Sequence, residues 1–429
     1  MRIVYLITGS GGSFYCGNCY RDVLYLRAIR KVPGVSAKAI PLYLPPGDNS
    51  QESGLDNNVF FGAITMYLRD KVRFMRNMPS FFDSILNSGP LLKLAARQAG
   101  TTRTEGFEGL TLNMISGESA FRSDEVDRLA KYIVSEEEPD VIHLSNALVI
   151  GIARHLKKRL KAKIICSLLN EDDWIDEMAE PYRDEAWRMI AWEAQGIDLF
   201  VTPSNYFKDL FIRKTGISED KISVIPIGFD PETDGPQRKE ADRHAIGYFC
   251  RVSYQNGFDK LVDAFVRIRE TIPDATLHVC GGYTGDDRPF IAEQIKKIRK
   301  SGFEKSIRIY PEFQGQKKAE FFRNVDVISV PVRKYDGYGL YILEANGAGV
   351  PVVQPSTGAF PEIIGTTGGG IIYSPDTSDE LASSLVKLLK DDSLRIKLGE
   401  AGRKNVIAKL SLDRMAEGLS GIYETLVIH

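Results

Sequence analysis

Short apolar runs alternate with stretches of 3.6-residue periodicity along nearly the whole chain. That is the pattern of βαβ units around parallel sheets whose strands are buried on both faces. In the first half the runs predict strands at 2–7 (RIVYLI), 36–44, 140–144, 163–169, 197–202 and 222–226, with helices at 18–31, 123–136, 147–160, 180–194 and 204–215. In the second half they predict strands at 245–250, 275–280, 307–310, 325–330, 350–354 and 370–373. Helices follow there at 258–271, 287–301, 316–323, 339–348, 378–390, 393–407 and 412–426. The pattern breaks at 226–244, where Pro, Gly and charged residues stand without apolar periodicity, as in a linker. Two doubly wound α/β domains result, 1–228 and 245–408, joined by 229–244 and followed by a last helical segment, 409–429. In such sheets ligands bind beyond the carboxyl ends of the strands, which places the expected site where the two domains face each other across a cleft.

One segment departs from this pattern. Residues 59–86 are rich in aromatics and Met, with Arg69, Lys71, Arg73 and Arg76 interleaved. They predict a helical insertion, 59–110, for which two readings stand: a lid packed on the first domain, and peripheral contact with a membrane surface.

Composition narrows the function. A chain of 429 residues with 43% hydrophobic and 26% charged residues has ample material for folded cores. With 55 basic and 57 acidic residues the formal charge is −2, which argues against a nucleic-acid partner. No apolar stretch reaches the length of a membrane span, and the N-terminus lacks the pattern of a signal peptide. Five cysteines, at 16, 19, 166, 250 and 280, are too few for a disulfide framework. The expectation is a soluble cytoplasmic protein in a reducing compartment; the oligomeric state is not legible.

The stretch with most chemistry is 333–364, RKYDGYGLYILEANGAGVPVVQPSTGAFPEII. It follows a buried strand and opens a helix with Gly337 and Gly339, where backbone amides and the helix dipole suit a phosphate. Glu344 lies eight residues after Asp336 and, from inside that helix, could accept hydrogen bonds from a ribose diol. Asp336 would stand at the mouth, beside a reacting sugar. Glycine-rich strand–helix turns with a nearby Glu also occur in many α/β proteins without this chemistry.

This block resembles the Glu-x7-Glu region of the retaining glycosyltransferases of family 4, which have the GT-B fold of two Rossmann-like domains. Asp336-Gly337-Tyr338-Gly339 stands where that family has Glu-Gly-Phe-Gly, and Glu344-Ala345 and Gly349-Val350-Pro351-Val352-Val353 follow in register. Residues 197–228 are similar to the end of the family's first domain, and LSLDRMAEGLSGIY to its C-terminal helix, which crosses back onto the first domain. Cys16-Gly-Asn-Cys19 points to a subgroup with that signature.

The resemblance implies roles residue by residue. Glu344 would hold the donor ribose, and the amides of Gly339 and Leu340 the distal phosphate, with Gly337 and Tyr338 in the same loop. Asp336 would stand near the sugar hydroxyls. Gly9, Gly11 and Gly12 would form the first-domain loop that approaches the diphosphate, and Arg251 would neutralise it as it leaves. The family's Lys is replaced by Asn256, with Lys260 one helical turn on as the alternative cation. A His near the donor sugar is replaced by Asn170. The implied activity is transfer of a sugar from a UDP-, GDP- or ADP-sugar to an acceptor hydroxyl with retention, without metal or other cofactor. Two alternatives remain: a non-catalytic or weakly catalytic nucleotide-sugar binding protein, and another GT-B enzyme such as a sugar-nucleotide epimerase.

Two first-domain motifs complete the reading. Cys16-Gly-Asn-Cys19 follows the glycine loop; close packing of that loop and a metal or redox role both fit, with Asn18, Arg21 and Asp22 expected to face the cleft. A structural zinc would need two further ligands, which the sequence does not offer at a suitable spacing. Asn170-Glu171-Asp172-Asp173 follows a predicted strand. These residues could act on an acceptor hydroxyl, with Glu171 as catalytic carboxylate and Asp172 and Asp173 on the acceptor side, or simply form an acidic helix N-terminus.

Overall fold

The structure, a computed structural model, describes residues 1–8, 15–43, 104–117, 123–136, 138–231 and 244–428. The expectations for Gly9, Gly11 and Gly12, for the 59–86 segment and for most of the linker lie outside these residues. The chain divides into two compact units. The first comprises Met1–Gly12, Asn18–Pro226 and Met415–His429, the second Ser13–Gly17 and Ile227–Arg414.

The first unit is built on a parallel six-stranded sheet: β1 (Arg2–Ile7), β2 (Ser36–Pro41), β3 (Val141–Leu144), β4 (Lys163–Ser167), β5 (Leu199–Thr202) and β6 (Ile222–Val224), in the order β2-β1-β3-β4-β5-β6. Its helices are α1 (Gly17–Lys31), α2 (Glu108–Ser116), α3 (Ser123–Glu136), α4 (Ile152–Lys157), α5 (Glu171–Ile175), α6 (Tyr182–Glu193) and α7 (Asn205–Thr215). The strands lie under helices on both faces, which is why β3 is buried at all four positions and reads as a continuous apolar run rather than an alternation.

The second unit repeats the architecture with β7 (Ala245–Phe249), β8 (Thr276–Cys280), β9 (Ile307–Tyr310), β10 (Val327–Ile328), β11 (Val352–Pro355) and β12 (Gly370–Tyr373). Their order is β12-β11-β10-β7-β8-β9, and every pairing is parallel. Helices α8 (Phe258–Thr271), α9 (Arg288–Lys300), α10 (Gly315–Arg323), α11 (Leu340–Gly347), α12 (Phe360–Thr367), α13 (Ser378–Lys390) and α14 (Asp392–Lys409) surround it. The last helix, α15 (Leu412–Ile428), carries Tyr423 into the core of the first unit, where its hydroxyl meets His143 Nδ1 at 2.9 Å.

Each predicted strand run carries a strand, mostly trimmed by a few residues at its ends. Three local departures have physical causes. The expected helix at 147–160 is a 3₁₀ turn (Ala147–Val149) followed by the short α4. The break falls at Gly151, where a Cβ would come within 2.4 Å of the Gly117 nitrogen, so the backbones approach too closely for any side chain. The Gly358–Glu362 stretch, for which the apolar pattern predicts no helix, runs into α12, begun by Phe360-Pro361; proline fits the first helical turn, where its missing N–H is not needed. Helix α2, with no clear apolar stripe, begins within the expected helical insertion and runs past its expected end at 110. Among the described residues no helix is long and apolar enough to cross a membrane.

Candidate active site

In the second sheet β7 and β10 are neighbours, while the chain continues from β7 toward β8 on one side and from β10 toward β11 on the other. The loops leaving these two strands therefore diverge and leave a crevice at their carboxyl ends, where α/β sheets bind ligands. Both loops carry residues singled out in the sequence.

The β7 loop runs from Cys250 to Gly257. Its backbone is tied to β8 by Cys250 N–H to the Cys280 carbonyl (3.1 Å) and Val252 N–H to the Gly282 carbonyl (2.9 Å). Asn256 braces it from within: its Nδ2 donates to the Arg251 carbonyl (3.0 Å) and to Cys250 Sγ (3.3 Å). Gly257 has φ 69°, and a Cβ there would lie 1.8 Å from the Pro331 carbonyl oxygen, so glycine lets the two loops meet. Arg251 is mostly covered, its Nε 3.9 Å from Asp287 Oδ2. Lys260, in the first turn of α8, pairs with Asp376 at 2.6 Å.

The β10 loop brings Asp336 to the start of α11. Its Oδ1 accepts from the amides of Tyr338 (2.9 Å) and Gly339 (2.8 Å), an Asx-type turn that fixes the helix entry. Gly339 takes the left-handed conformation, φ 75°, and a Cβ would press on Phe360. Gly358 also has positive φ, and a side chain there would strike the Asp336 backbone at 2.5 Å. Burial, then the nearby Asp336 charge, pushes the Cys250 thiol up to about 12, so it is an inert packing group.

Glu344 sits within α11, buried to 1% exposure like the rest of that helix. An unpaired carboxylate there would cost several kcal/mol. It is compensated by Lys318 of α10, itself 8% exposed, whose Nζ donates to Oε1 at 3.0 Å, and by the Tyr15 hydroxyl, which donates to Oε2 through a short hydrogen bond. Tyr15 also donates its amide to the Gly281 carbonyl (2.7 Å) and packs on Phe249 at 4.9 Å. Lys318 and Tyr15 were not singled out in the sequence. Lys318 had a signal, a lysine on one helix face with Phe321 and Phe322; Tyr15 lies 329 residues from its partner and had none.

The first unit uses its charged residues differently. Asn170 adopts the left-handed conformation (φ 59°) before α5. Glu171 is buried and turned inward, accepting from the amides of Ala147 (3.0 Å) and Leu169 (2.9 Å), and burial raises its pKa. Asp172 is also buried, whereas Asp173 is exposed. Asn18 is exposed in the first turn of α1. Arg21 and Asp22, expected to face a ligand, lie instead in the core. Arg21 Nη2 meets Asp22 Oδ1 at 2.8 Å and the Ser145 carbonyl, and the Tyr5 hydroxyl donates to the same carboxylate oxygen. Cys16 and Cys19, for which loop packing and a metal or redox role both fit the sequence, are joined in a disulfide. Among the described residues no group of three or more His, Cys, Asp or Glu is placed to hold a metal ion.

Two open parallel sheets, the second with the loops of β7 and β10 diverging at its switch point, define an α/β protein of the GT-B class. Comparison with solved structures supports this. HepE from Anabaena in complex with UDP superposes with a TM-score of 0.72 at 15% identity, covering 99% of this chain and 100% of that one. Sucrose-phosphate synthase from Thermosynechococcus elongatus gives 0.72 at 15% identity, covering 99% of each. At such identities the likeness speaks for the fold alone.

The family follows from sequence. Residues 230–405 match the family model of glycosyl transferases group 1, and 106–233 that of Glycosyltransferase Family 4. Together they run without a gap from 106 to 405 and support a glycosyltransferase of this kind. Among curated relatives, the lipopolysaccharide core biosynthesis mannosyltransferase LpsB of Rhizobium meliloti is 29% identical over 209 residues, 46% of this chain and 58% of that protein. A GDP-mannose-dependent monoacylated alpha-(1-6)-phosphatidylinositol monomannoside mannosyltransferase of Corynebacterium glutamicum is 25% identical over 316 residues, 68% of this chain and 78% of that protein. The match to the first of these thus spans little more than half of the relative's length.

Proposed function

We propose that the chain is a retaining glycosyltransferase that moves a sugar from a nucleotide-sugar donor to an acceptor hydroxyl without a metal ion. The observation that carries this reading is Glu344: a buried, paired carboxylate in the helix that follows the switch-point loop, eight residues beyond Asp336. In this reading Glu344 accepts the ribose hydroxyls and the start of α11 faces the diphosphate. Arg251 offsets the charge that develops there as the bond from the anomeric carbon to the leaving oxygen breaks. The acceptor oxygen forms its bond on the same face, and its proton passes to the leaving diphosphate. Asp336 has its Oδ1 engaged in shaping the loop, so its part toward the sugar is positional.

The names of the relatives order the donors to be tried: GDP-mannose first, from the mannosyltransferases, then UDP-glucose, from the complexes of HepE. The test is thermal unfolding with GDP, UDP, ADP and their sugars, for the wild type and for Glu344→Gln, which keeps the side-chain shape. One nucleotide family at 100 times its Kd should stabilise the wild type by about 2.7 kcal/mol and leave the variant unshifted. No shift with any of them would remove the donor assignment. Product anomeric configuration by NMR then tests retention, and activity in EDTA tests independence from metal.

A weakly catalytic binder is the second reading, favoured by the cations of the β7 loop region. Asn256 is a brace without charge, and Lys260 is engaged by Asp376. Measurable binding of a nucleotide-sugar with no turnover on any hydroxyl acceptor, and none toward water, would select it.

A further inference from the structure

Glu344 is 1% exposed. A carboxylate closed off to that degree meets a ribose only when a present neighbour leaves. Lys318 is not the one to go: it is itself buried and projects from α10 on the same face as Phe321 and Phe322, both fully packed. Tyr15 is different in kind. It comes from the beginning of the chain, outside any helix or strand, and reaches the site through its hydroxyl on Glu344, its amide on Gly281 and its ring on Phe249. Its phenol donates to Glu344 Oε2 as a sugar hydroxyl would, and its ring lies against the apolar wall formed by Phe249.

We propose that Tyr15 is an internal stand-in for the donor's ribose, closing the nucleotide site until a nucleoside diphosphate displaces it. The proposal rests on Glu344 being the ribose acceptor. Each ribose hydroxyl that binds Glu344 replaces one charge-assisted hydrogen bond by another, so the nucleotide gains only what its phosphates and base add. The resting chain is therefore self-inhibited with respect to donor: nucleotide affinity is divided by the fraction of molecules with Tyr15 withdrawn.

The test is calorimetric titration of GDP, UDP and ADP into wild type, Tyr15→Phe and Glu344→Gln. Phenylalanine keeps the packing on Phe249 and loses only the competing donor, so the nucleotide that binds wild type should bind Tyr15→Phe about tenfold tighter, on the order of 1.4 kcal/mol. Equal or weaker binding by Tyr15→Phe, with binding still abolished in Glu344→Gln, would overturn the plug and leave the donor reading standing. Binding that is indifferent to Glu344→Gln would remove both. A second measurement needs no variant. Exchange of the Tyr15 amide hydrogen, bonded to the Gly281 carbonyl in the closed state, should speed up when saturating nucleotide is added; slower exchange would show that Tyr15 clamps the ligand and would overturn the proposal.

Discussion

The two sheets reverse their strand order in the same way and yet use charge in opposite ways at that point. In the first unit the reversal lies between β1 and β3, and the ionisable side chains beside it are turned into the core with partners there: Arg21 and Asp22 pair with each other, and His143 meets Tyr423 and Ser167. In the second it lies between β7 and β10, and the loops there hold Arg251 and Asp336 partly open, with Glu344 behind them. Topology thus marks two equivalent crevices and assigns chemistry to neither. What separates them is how far the charged groups are closed into the core: Arg21 and Asp22 are buried, while Arg251 and Asp336 stay partly exposed at the loops, so the difference lies in side chains rather than architecture.

The largest effect that would break this contrast comes from the two arginines. Arg21→Met leaves the Asp22 carboxylate buried without its cation and should cost about 3–5 kcal/mol. Arg251→Met should cost about 1 kcal/mol or less, because Asp287 keeps its hydrogen bonds from the Thr284 amide and hydroxyl, each 2.8 Å. Urea midpoints of the two variants measure the difference, and nucleotide titration should show the reverse order, with binding lost in Arg251→Met. Equal destabilisation by both changes would mean that Arg251 is as structural as Arg21, and the contrast would be gone.

A smaller effect sharpens the same contrast through pH. Burial, and then the Arg21 charge, lower the His143 pKa to about 3, so the imidazole stays neutral between Tyr423 and Ser167. The unfolded chain protonates that group near its ordinary value of about 6.5 and the folded chain does not. The unfolded state thus gains protons as pH falls, and His143 withdraws stability below about pH 6.5. By pH 5 the loss should be about 2 kcal/mol. Asp22 and Glu171, whose pKa values burial raises, act in the opposite direction, so the measured quantity is the difference between wild type and His143→Gln from pH 7 to 5. Relative to the wild type, the variant should gain about 2 kcal/mol over this range; parallel profiles would mean that His143 titrates normally in the fold.

How much of this could be read from sequence depends on the range of the interaction. Strand positions were legible because a strand covered on both faces has to be apolar along its length, and the placing of Asp336, Gly339 and Glu344 at one loop and its helix because it rests on residues close together in sequence. Arg21 and Asp22 were misplaced because α1 buries residues around most of its circumference, among them Arg21, Asp22, Leu24, Leu26 and Ala28, so no polar stripe marks an outward face. Glu171 reads as a reactive carboxylate in a cluster of acids, but its partners are backbone amides of Ala147 and Leu169, which no side-chain pattern announces. Tyr15 was invisible because it meets Glu344 across nearly the whole chain.

The finest test concerns Asn256, where a cation was expected and an amide stands. Its two side-chain hydrogen bonds hold the turn that carries Arg251, and the Arg251 carbonyl is also reached by the Tyr248 hydroxyl at 2.9 Å, so the brace is shared. Asn256→Lys removes the amide and should cost about 1 kcal/mol of stability. In return it adds a positive charge beside Arg251, where a diphosphate would lie, and should tighten binding of the nucleoside diphosphate several-fold. The two effects have opposite signs and are read in separate experiments, unfolding without ligand and titration with it. Lower stability with unchanged affinity would mean that the loop directs position 256 inward whatever residue it carries, and that Arg251 alone serves the phosphates. Unchanged stability would show instead that Tyr248 suffices as the brace, leaving position 256 open to carry the charge that the first sheet keeps inside its core.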